Sequence, residues 1–149
     1  MATLILTASA YANAVFTLGN HKQANEENIS FHTGQTGSTI DAFTNRSDSM
    51  VQFSSTTDTL IGTGGQSDVD ASDGLINNIT ITVPGHTFLD LIINPFKPVN
   101  DSDLIVTAIT NTGPFMFTYG STNGDNFLTI TTTGGEVINS VTIDSIGGF

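Results

Sequence analysis

Residues 76–85 read Ile76-Asn77-Asn78-Ile79-Thr80-Ile81-Thr82-Val83-Pro84-Gly85. Ile79, Ile81 and Val83 alternate with Thr80 and Thr82, so one side of this run is apolar and the other carries hydroxyls. A period of two places successive side chains on opposite faces of an extended chain. β-Branched residues suit that pleat. Pro84-Gly85 then supplies turn chemistry. The stretch predicts a half-buried strand with Ile79, Ile81 and Val83 facing a core, closed by a turn.

The same grammar extends in both directions. Upstream, Val15–Leu18, Asn28–Thr33, Thr39–Phe43 and Met50–Ser54 are short alternating runs. Downstream, Thr87–Asn94 is nearly all apolar and predicts a central strand covered on both faces. Leu104, Val106 and Ala108 alternate before Asn111-Thr112-Gly113, and Phe115, Phe117 and Tyr119 alternate before Asn123-Gly124. Phe127–Thr132 and Val137–Asp144 flank Gly134-Gly135 and predict a last hairpin. No window carries an apolar stripe at helical spacing over a useful length. Asn20–Asn28 has room for one helical turn, and Ser54–Asp73 reads as a long polar loop or a weak edge strand. Short strands with turn residues at such intervals predict an all-β fold, an antiparallel β-sandwich of jelly-roll-like or Ig-like type.

Composition narrows the function. The chain has 149 residues, enough for one domain with its own core. Three residues are Lys or Arg against fourteen Asp or Glu, a formal charge of −11. Counterion release at a phosphate backbone needs cations on the protein, so no nucleic-acid partner is expected. Anionic membrane surfaces repel such a chain, and no apolar run has the length of a membrane span. There is no cysteine, hence no disulfide and no thiolate chemistry. Only 11% of residues are charged, and Thr, Ser, Asn and Gly furnish the surface instead.

Residues 1–14 allow two readings. Ala10-Tyr11-Ala12 and Ala12-Asn13-Ala14 have the small-x-small form of an export cleavage site, so the segment reads as a signal remnant. Thr3, Ile5 and Thr7 alternate with Leu4 and Leu6, so it also reads as a strand donated to another copy. Residues 15–149 are expected to form the single sandwich domain.

Chemistry-bearing patterns are few. Asp68-Val69-Asp70-Ala71-Ser72-Asp73-Gly74 gathers carboxylates in a turn, which suits a hard cation that takes oxygen ligands. Asp68, Asp70 and Asp73 are therefore candidate calcium ligands, although the closing bidentate Glu of an EF-hand is missing. The alternative is a solvated acidic turn. Asn100-Asp101-Ser102-Asp103 and Asn123-Gly124-Asp125-Asn126 are further oxygen-rich turns, and the Asn20–Glu27 segment adds Glu26 and Glu27. His21, His32 and His86 match no zinc spacing. No nucleophile elbow, phosphate loop or dinucleotide fingerprint occurs. With three Glu, two of them adjacent, a carboxylate pair for glycoside hydrolysis has little to draw on. No catalytic residue is nominated. There is no Trp to stack a sugar, and the ten Phe fall mostly at alternating, core-like positions. Four Asn-x-Ser/Thr acceptors begin at Asn28, Asn45, Asn78 and Asn100, as expected by chance in so Asn- and Thr-rich a chain.

Gly124-Asp125-Asn126-Phe127-Leu128-Thr129-Ile130 followed by Gly134-Gly135-Glu136-Val137-Ile138-Asn139-Ser140-Val141-Thr142-Ile143-Asp144 resembles the closing hairpin of bacterial secreted PEP-CTERM-type β-sandwich proteins. The resemblance covers about the last quarter of the chain. It implies export, a surface or matrix location and a sandwich, and it carries over no site residues. The sequence departs from that family after Phe149, where no Pro-Glu-Pro motif, membrane span or basic tail follows, so no sorted anchor is expected.

These observations favour a non-enzymatic, secreted or cell-surface structural or adhesive protein that self-assembles. Natural sheets guard their edges with Lys, Pro and bulges, and two lysines cannot guard many edges. Strand addition between copies is therefore open to this chain, up to a filament. Two alternatives stand beside it: a calcium-dependent module for glycans or other ligands, and a hydrolase on a sandwich scaffold.

Overall fold

A computed structural model describes residues 12–65, 67–96 and 103–149. The described residues contain strands and turns and no helix. The strands in chain order are β1 Asn13–Leu18, β2 Ile29–Ser30, β3 Gln35–Gly37, β4 Thr39–Thr44, β5 Met50–Ser54, β6 Leu60–Gly62 and β7 Val69–Ala71. They continue as β8 Asn78–Thr82, β9 Asp90–Ile93, β10 Asp103–Thr110, β11 Pro114–Gly120, β12 Leu128–Thr133 and β13 Ile138–Ser145.

The strands form one seven-stranded sheet, ordered β11-β10-β13-β8-β5-β4-β2, and two three-stranded sheets, β1-β12-β9 and β3-β6-β7. Pairing within the sheets is antiparallel, and none closes into a barrel. Alternation decides which face is covered. Ile79 and Ile81 of β8, Val141 and Ile143 of β13, and Leu104, Val106 and Ala108 of β10 are all buried. Ala14, Leu91, Ile93, Leu128 and Ile130 of the β1-β12-β9 sheet belong to the same buried cluster, as do Phe31, Leu60 and Ala71. The layers are thus consistent with a sandwich around a shared core. Each fully buried Leu or Ile there contributes roughly 1.5–3 kcal/mol from lost water contact.

Glycine matters where backbone and ring meet. A side chain at Gly62 would sit 2.5 Å from the Phe31 ring, so glycine lets that ring lie flat on β6.

Three local expectations need correction. Thr87–Asn94 is not a strand covered on both faces. Its strand, β9, lies at one side of a three-stranded sheet, with Leu91 and Ile93 buried and Leu89 60% exposed. Phe127–Thr132 and Val137–Asp144 are strands, yet they do not pair with each other. β12 joins the sheet of β1 and β9, whereas β13 joins β10 and β8. Gly134 (φ 64°) and Gly135 (φ 81°) therefore turn a corner between sheets rather than a hairpin. β8 with β13 and β9 with β12 read as one antiparallel ribbon bent at that corner, where Phe88 and Ile138 exchange both backbone hydrogen bonds (3.0 and 2.8 Å). Finally, Asn20–Asn28 holds no helical turn; of the two readings of Ser54–Asp73 it is the strand that holds, as β6 and β7, with β7 the outer strand of its sheet.

Of residues 1–14, residues 1–11 lie outside the described residues. Asn13 and Ala14 begin β1, opposite Thr133 and Thr132.

Candidate functional site

The most unusual margin of the molecule is built by β1 and β11. Each is an outer strand of its sheet, with one strand neighbour among the described residues. The hairpin Thr110–Gly113 delivers β11 beside β10, and the Thr110 N–H donates to the Gly113 carbonyl (2.9 Å). That bond fixes the ladder's phase. Ile109 and Pro114 are then a pair without mutual hydrogen bonds, and the pattern alternates from there. Phe115, Phe117 and Tyr119 turn their backbone groups to β10. Met116, Thr118 and Gly120 turn theirs to the open side. Pro114 falls at an open-side position, where its missing N–H costs the ladder nothing.

Side chains sort the same way. Phe115, Phe117 and Tyr119 point to the interior face and are half-buried, while Met116 is 68% exposed. Phe16 of β1 stacks on Phe117 with ring centres 5.4 Å apart and planes 9° from parallel. Phe117 in turn lies 5.8 Å from Tyr119. These rings close the gap between the two sheet margins. Burial pushes the Tyr119 hydroxyl up to about 12; the hydroxyl donates to the Asn126 carbonyl (3.1 Å). Neither strand contains Asp, Glu, Lys, Arg or His.

A cleft of about 310 Å³ opens at one end of this margin, between Leu18, Tyr119, Asp125 and Phe127. Asn126 fixes its floor. The Asn126 amide donates to the carbonyls of Pro95, Thr122 and Gly124 (3.0, 2.8 and 2.9 Å), and its oxygen accepts the Thr122 N–H (2.8 Å). Asp125 accepts from the Asn94 amide (2.8 Å).

The nominated calcium ligands lie elsewhere. Asp68 precedes β7, Asp70 sits within it opposite Ile61, and Asp73 lies in the following turn; all three are exposed. Asp73 accepts the Leu75 N–H (3.2 Å), as an Asx turn does. Among the described residues, no group of three or more His, Asp or Glu is arranged to hold a metal ion. Residues 100–102 of the second acidic turn are outside the described residues, and Asp103 opens β10. The histidines serve different places. His21 contacts the Leu18 carbonyl (2.9 Å), His32 stacks on Phe43 beside Asp48 (3.4 Å), and His86 follows the Pro84-Gly85 turn, its N–H donating to the Val83 carbonyl (2.9 Å).

Three carboxylates are locked into the fabric: Glu27 of the Asn20–Glu27 segment, and Asp58 and Glu136, which the sequence did not single out. Asp58 accepts from the backbone N–H groups of Asn77 and Asn78 (2.9 and 3.1 Å) and from the hydroxyls of Thr57 and Ser55. Burial works to raise its pKa, but those hydrogen bonds outweigh it and hold the carboxyl at about 2. Glu27 accepts from the N–H and hydroxyl of Ser47 (both 3.0 Å), and with Thr44 and Arg46 adding to the Ser47 bonds its pKa is also about 2. Glu136 is 1% exposed at the Gly134-Gly135 corner. Its Oε1 accepts from the hydroxyl and N–H of Thr112 (2.7 and 3.2 Å), and its Oε2 is buried with no hydrogen-bond partner among the described residues. The Thr110 hydroxyl most favours its charged form, burial opposes this, and Thr112 favours it again, leaving the pKa below the ordinary value.

Comparison of the chain with family models, with curated proteins and with solved structures finds no match.

Proposed function

We propose that this chain is a non-enzymatic extracellular structural or adhesive protein whose copies join by β-strand addition. The observation that carries this reading is the β1–β11 margin: two neighbouring outer strands free of charge, with Leu18 and Met116 exposed. A long, uncharged edge is a template for pairing with another chain. The hydroxyl- and amide-rich surface and the exported proteins that the C-terminal stretch resembles favour an extracellular setting. A structural role is also favoured by how the acids are used: Asp58, Glu27, Glu136 and Asp73 accept hydrogen bonds that tie turns to strands. The ribbon of β8–β9 and β12–β13, bent across two sheets, favours a jelly-roll-like sandwich over an Ig-like one.

Sedimentation velocity across protein concentrations, with negative-stain microscopy of the same samples, tests the proposal. Copies of charge −11 repel, while the joining strands are uncharged. Association is therefore expected to strengthen as salt rises from about 20 to about 300 mM, as the Debye length shortens. A chain that sediments as a monomer throughout, up to about 0.5 mM at either salt, overturns it.

A further inference from the structure

We propose that Asn123 is a site of self-modification. In the folded protein its side chain cyclises onto the nitrogen of Gly124, sheds ammonia and leaves aspartate or isoaspartate in the turn that forms the floor of the Leu18–Tyr119–Asp125 cleft. The proposal stands apart from self-association and needs no partner.

Sequence and structure single out the same residue. Of the chain's asparagines, only Asn123 is followed by glycine. A backbone nitrogen is approached most easily when its residue carries no Cβ, and glycine tolerates the backbone angles that ring closure asks for. Gly124 stands at φ 102°, and a Cβ built on it would meet no heavy atom within 4 Å beyond its chain neighbours, so the space beside it is open. Asn123 is exposed at a bend, and its side chain makes no hydrogen bond among the described residues. The side-chain amides of Asn45, Asn78, Asn94, Asn111 and Asn126 are all engaged. Asp73-Gly74 has the same spacing, but a carboxylate is a poorer electrophile than an amide, and Asp73 already accepts the Leu75 N–H (3.2 Å).

The turn grips the neighbours of the reacting pair. Asn126 donates to the carbonyls of Thr122 and Gly124 (2.8 and 2.9 Å) and accepts the Thr122 N–H (2.8 Å). None of these bonds uses the Gly124 nitrogen or the Asn123 carbonyl, which are the groups that must turn toward each other.

The chemistry balances with water alone. The Gly124 nitrogen gives its proton to a base in the solvent and attacks Cγ of Asn123. The N–Cγ bond forms, the Cγ–Nδ2 bond breaks, and Nδ2 takes up a proton and leaves as ammonia. Water then opens the cyclic imide. Opening at Cγ gives aspartate. Opening at the main-chain carbonyl gives isoaspartate, in which the chain runs through Cβ and Cγ. Nothing is oxidised or reduced. Either product adds a carboxylate close in sequence to Asp125 and makes the formal charge of −11 more negative by one. Isoaspartate also lengthens the main chain between Thr122 and Gly124, so Asn126 loses the geometry that lets it bond to both. The floor of the cleft is then released.

The test is peptide mapping of the folded chain after incubation in mildly alkaline and in mildly acidic buffer. Pepsin in acid serves for digestion, because three basic residues leave trypsin few sites. A mass gain of about 1 Da is expected in the peptide carrying Asn123, roughly tenfold ahead of every other peptide. It should be faster in alkali and divided between two products that chromatography separates. Asn123→Gln, which would have to close a larger ring, should lose the gain and keep the parent melting temperature. Asn123→Asp adds the charge without lengthening the chain. Deuterium uptake at the Thr122 N–H should rise by about tenfold in the isoaspartate form and stay at the parent value in Asn123→Asp. A gain that comes first in another peptide, or that reaches Asn123 only when the chain is unfolded in urea, overturns the proposal. Unchanged uptake at Thr122 in the isoaspartate form overturns the release of the Asn126 bonds.

Discussion

The seven-stranded sheet has two margins, and they are treated in opposite ways. At one, β2 is two residues long and is overlaid by a hydrogen-bonded loop. Arg46 donates its guanidinium to the carbonyls of Asn25 and Glu26 (2.5 and 2.6 Å), Glu27 gathers Ser47, and Asn28 and Asn45 exchange bonds. At the other, β11 runs for seven residues with Met116 exposed and, among the described residues, only Pro114 as a guard. One of the chain's three basic residues is placed at the first margin. The outer strands β7 and β9 each carry an acid, Asp70 and Asp90. The chain thus has the means to blunt an edge and applies them selectively. Its poverty in lysine alone does not explain β11.

The largest expected effect tests whether the two margins belong to one cooperative unit. Ile130 of β12 lies behind the bare margin, paired with Phe16, and Ile40 of β4 lies behind the guarded one; both are fully buried. Ile130→Ala and Ile40→Ala are each expected to cost about 2–5 kcal/mol, from lost burial plus the cavity left behind. Chemical unfolding should show one transition that both variants shift together. Two transitions, each moved by only one variant, would break the comparison, because the margins would then be independent bodies.

How much of this was legible beforehand depended on the range over which each feature is decided. Alternation at Ile79 and Ile81 gave the strand and its buried face correctly, since facing is a local property of the pleat. The position of a strand in its sheet is set by distant partners. The apolar run Thr87–Asn94 could therefore not announce that β9 pairs only with β12 among the described strands. Gly134-Gly135 marked a turn, and a turn is there; whether the flanking strands pair as a hairpin or part at a corner is decided by β1, β9, β10 and β8. The locking of Asp58 and Glu136 was hidden for the same reason. Asp58 takes its donors from Asn77 and Asn78, and Glu136 from Thr112, some twenty residues away in sequence. Asp68, Asp70 and Asp73 stood out because their closeness is local, and local closeness does not make side chains converge. The bare margin did leave a sequence signal: Pro114–Gly120 is the longest outer strand and lacks charge.

Acid separates the margins further. β1 and β11 hold one titratable group, Tyr119, whose pKa of about 12 leaves it neutral through the acid range. The guarded margin depends on Glu27, lowered from 4.5 to about 2, and Asp58 is lowered from 3.8 to about 2 in the β5–β6 turn. A depressed carboxyl pKa stabilises the fold above the unfolded value, and that stabilisation is lost as pH falls through the folded value. The melting temperature should therefore hold from pH 7 to about 5 and fall between about 4.5 and 2. Asp58→Asn and Glu27→Gln should each flatten this acid limb. A melting temperature independent of pH down to about 2 would mean that neither carboxylate is bonded as described.

The smallest effect is the most local. Glu27 is the acceptor that holds residues 46 and 47 over the end of β2, so Glu27→Ala frees the N–H of Ser47 and leaves the core untouched. Its exchange signature should be confined to that loop. Deuterium uptake at Arg46 and Ser47 is expected to accelerate by about tenfold, while Ile40 and Val51 behind them keep their protection and the melting temperature moves by only a few degrees. Arg46→Ala should act on the same loop from the other side, by removing the donor to Asn25 and Glu26. The bare margin should not respond to either change, since no hydrogen bond among the described residues connects it to this loop. If instead uptake rose along β11 in step with the loop, the guard would be holding the whole sheet rather than its own edge, and the contrast between the two margins would dissolve into one long-range coupling.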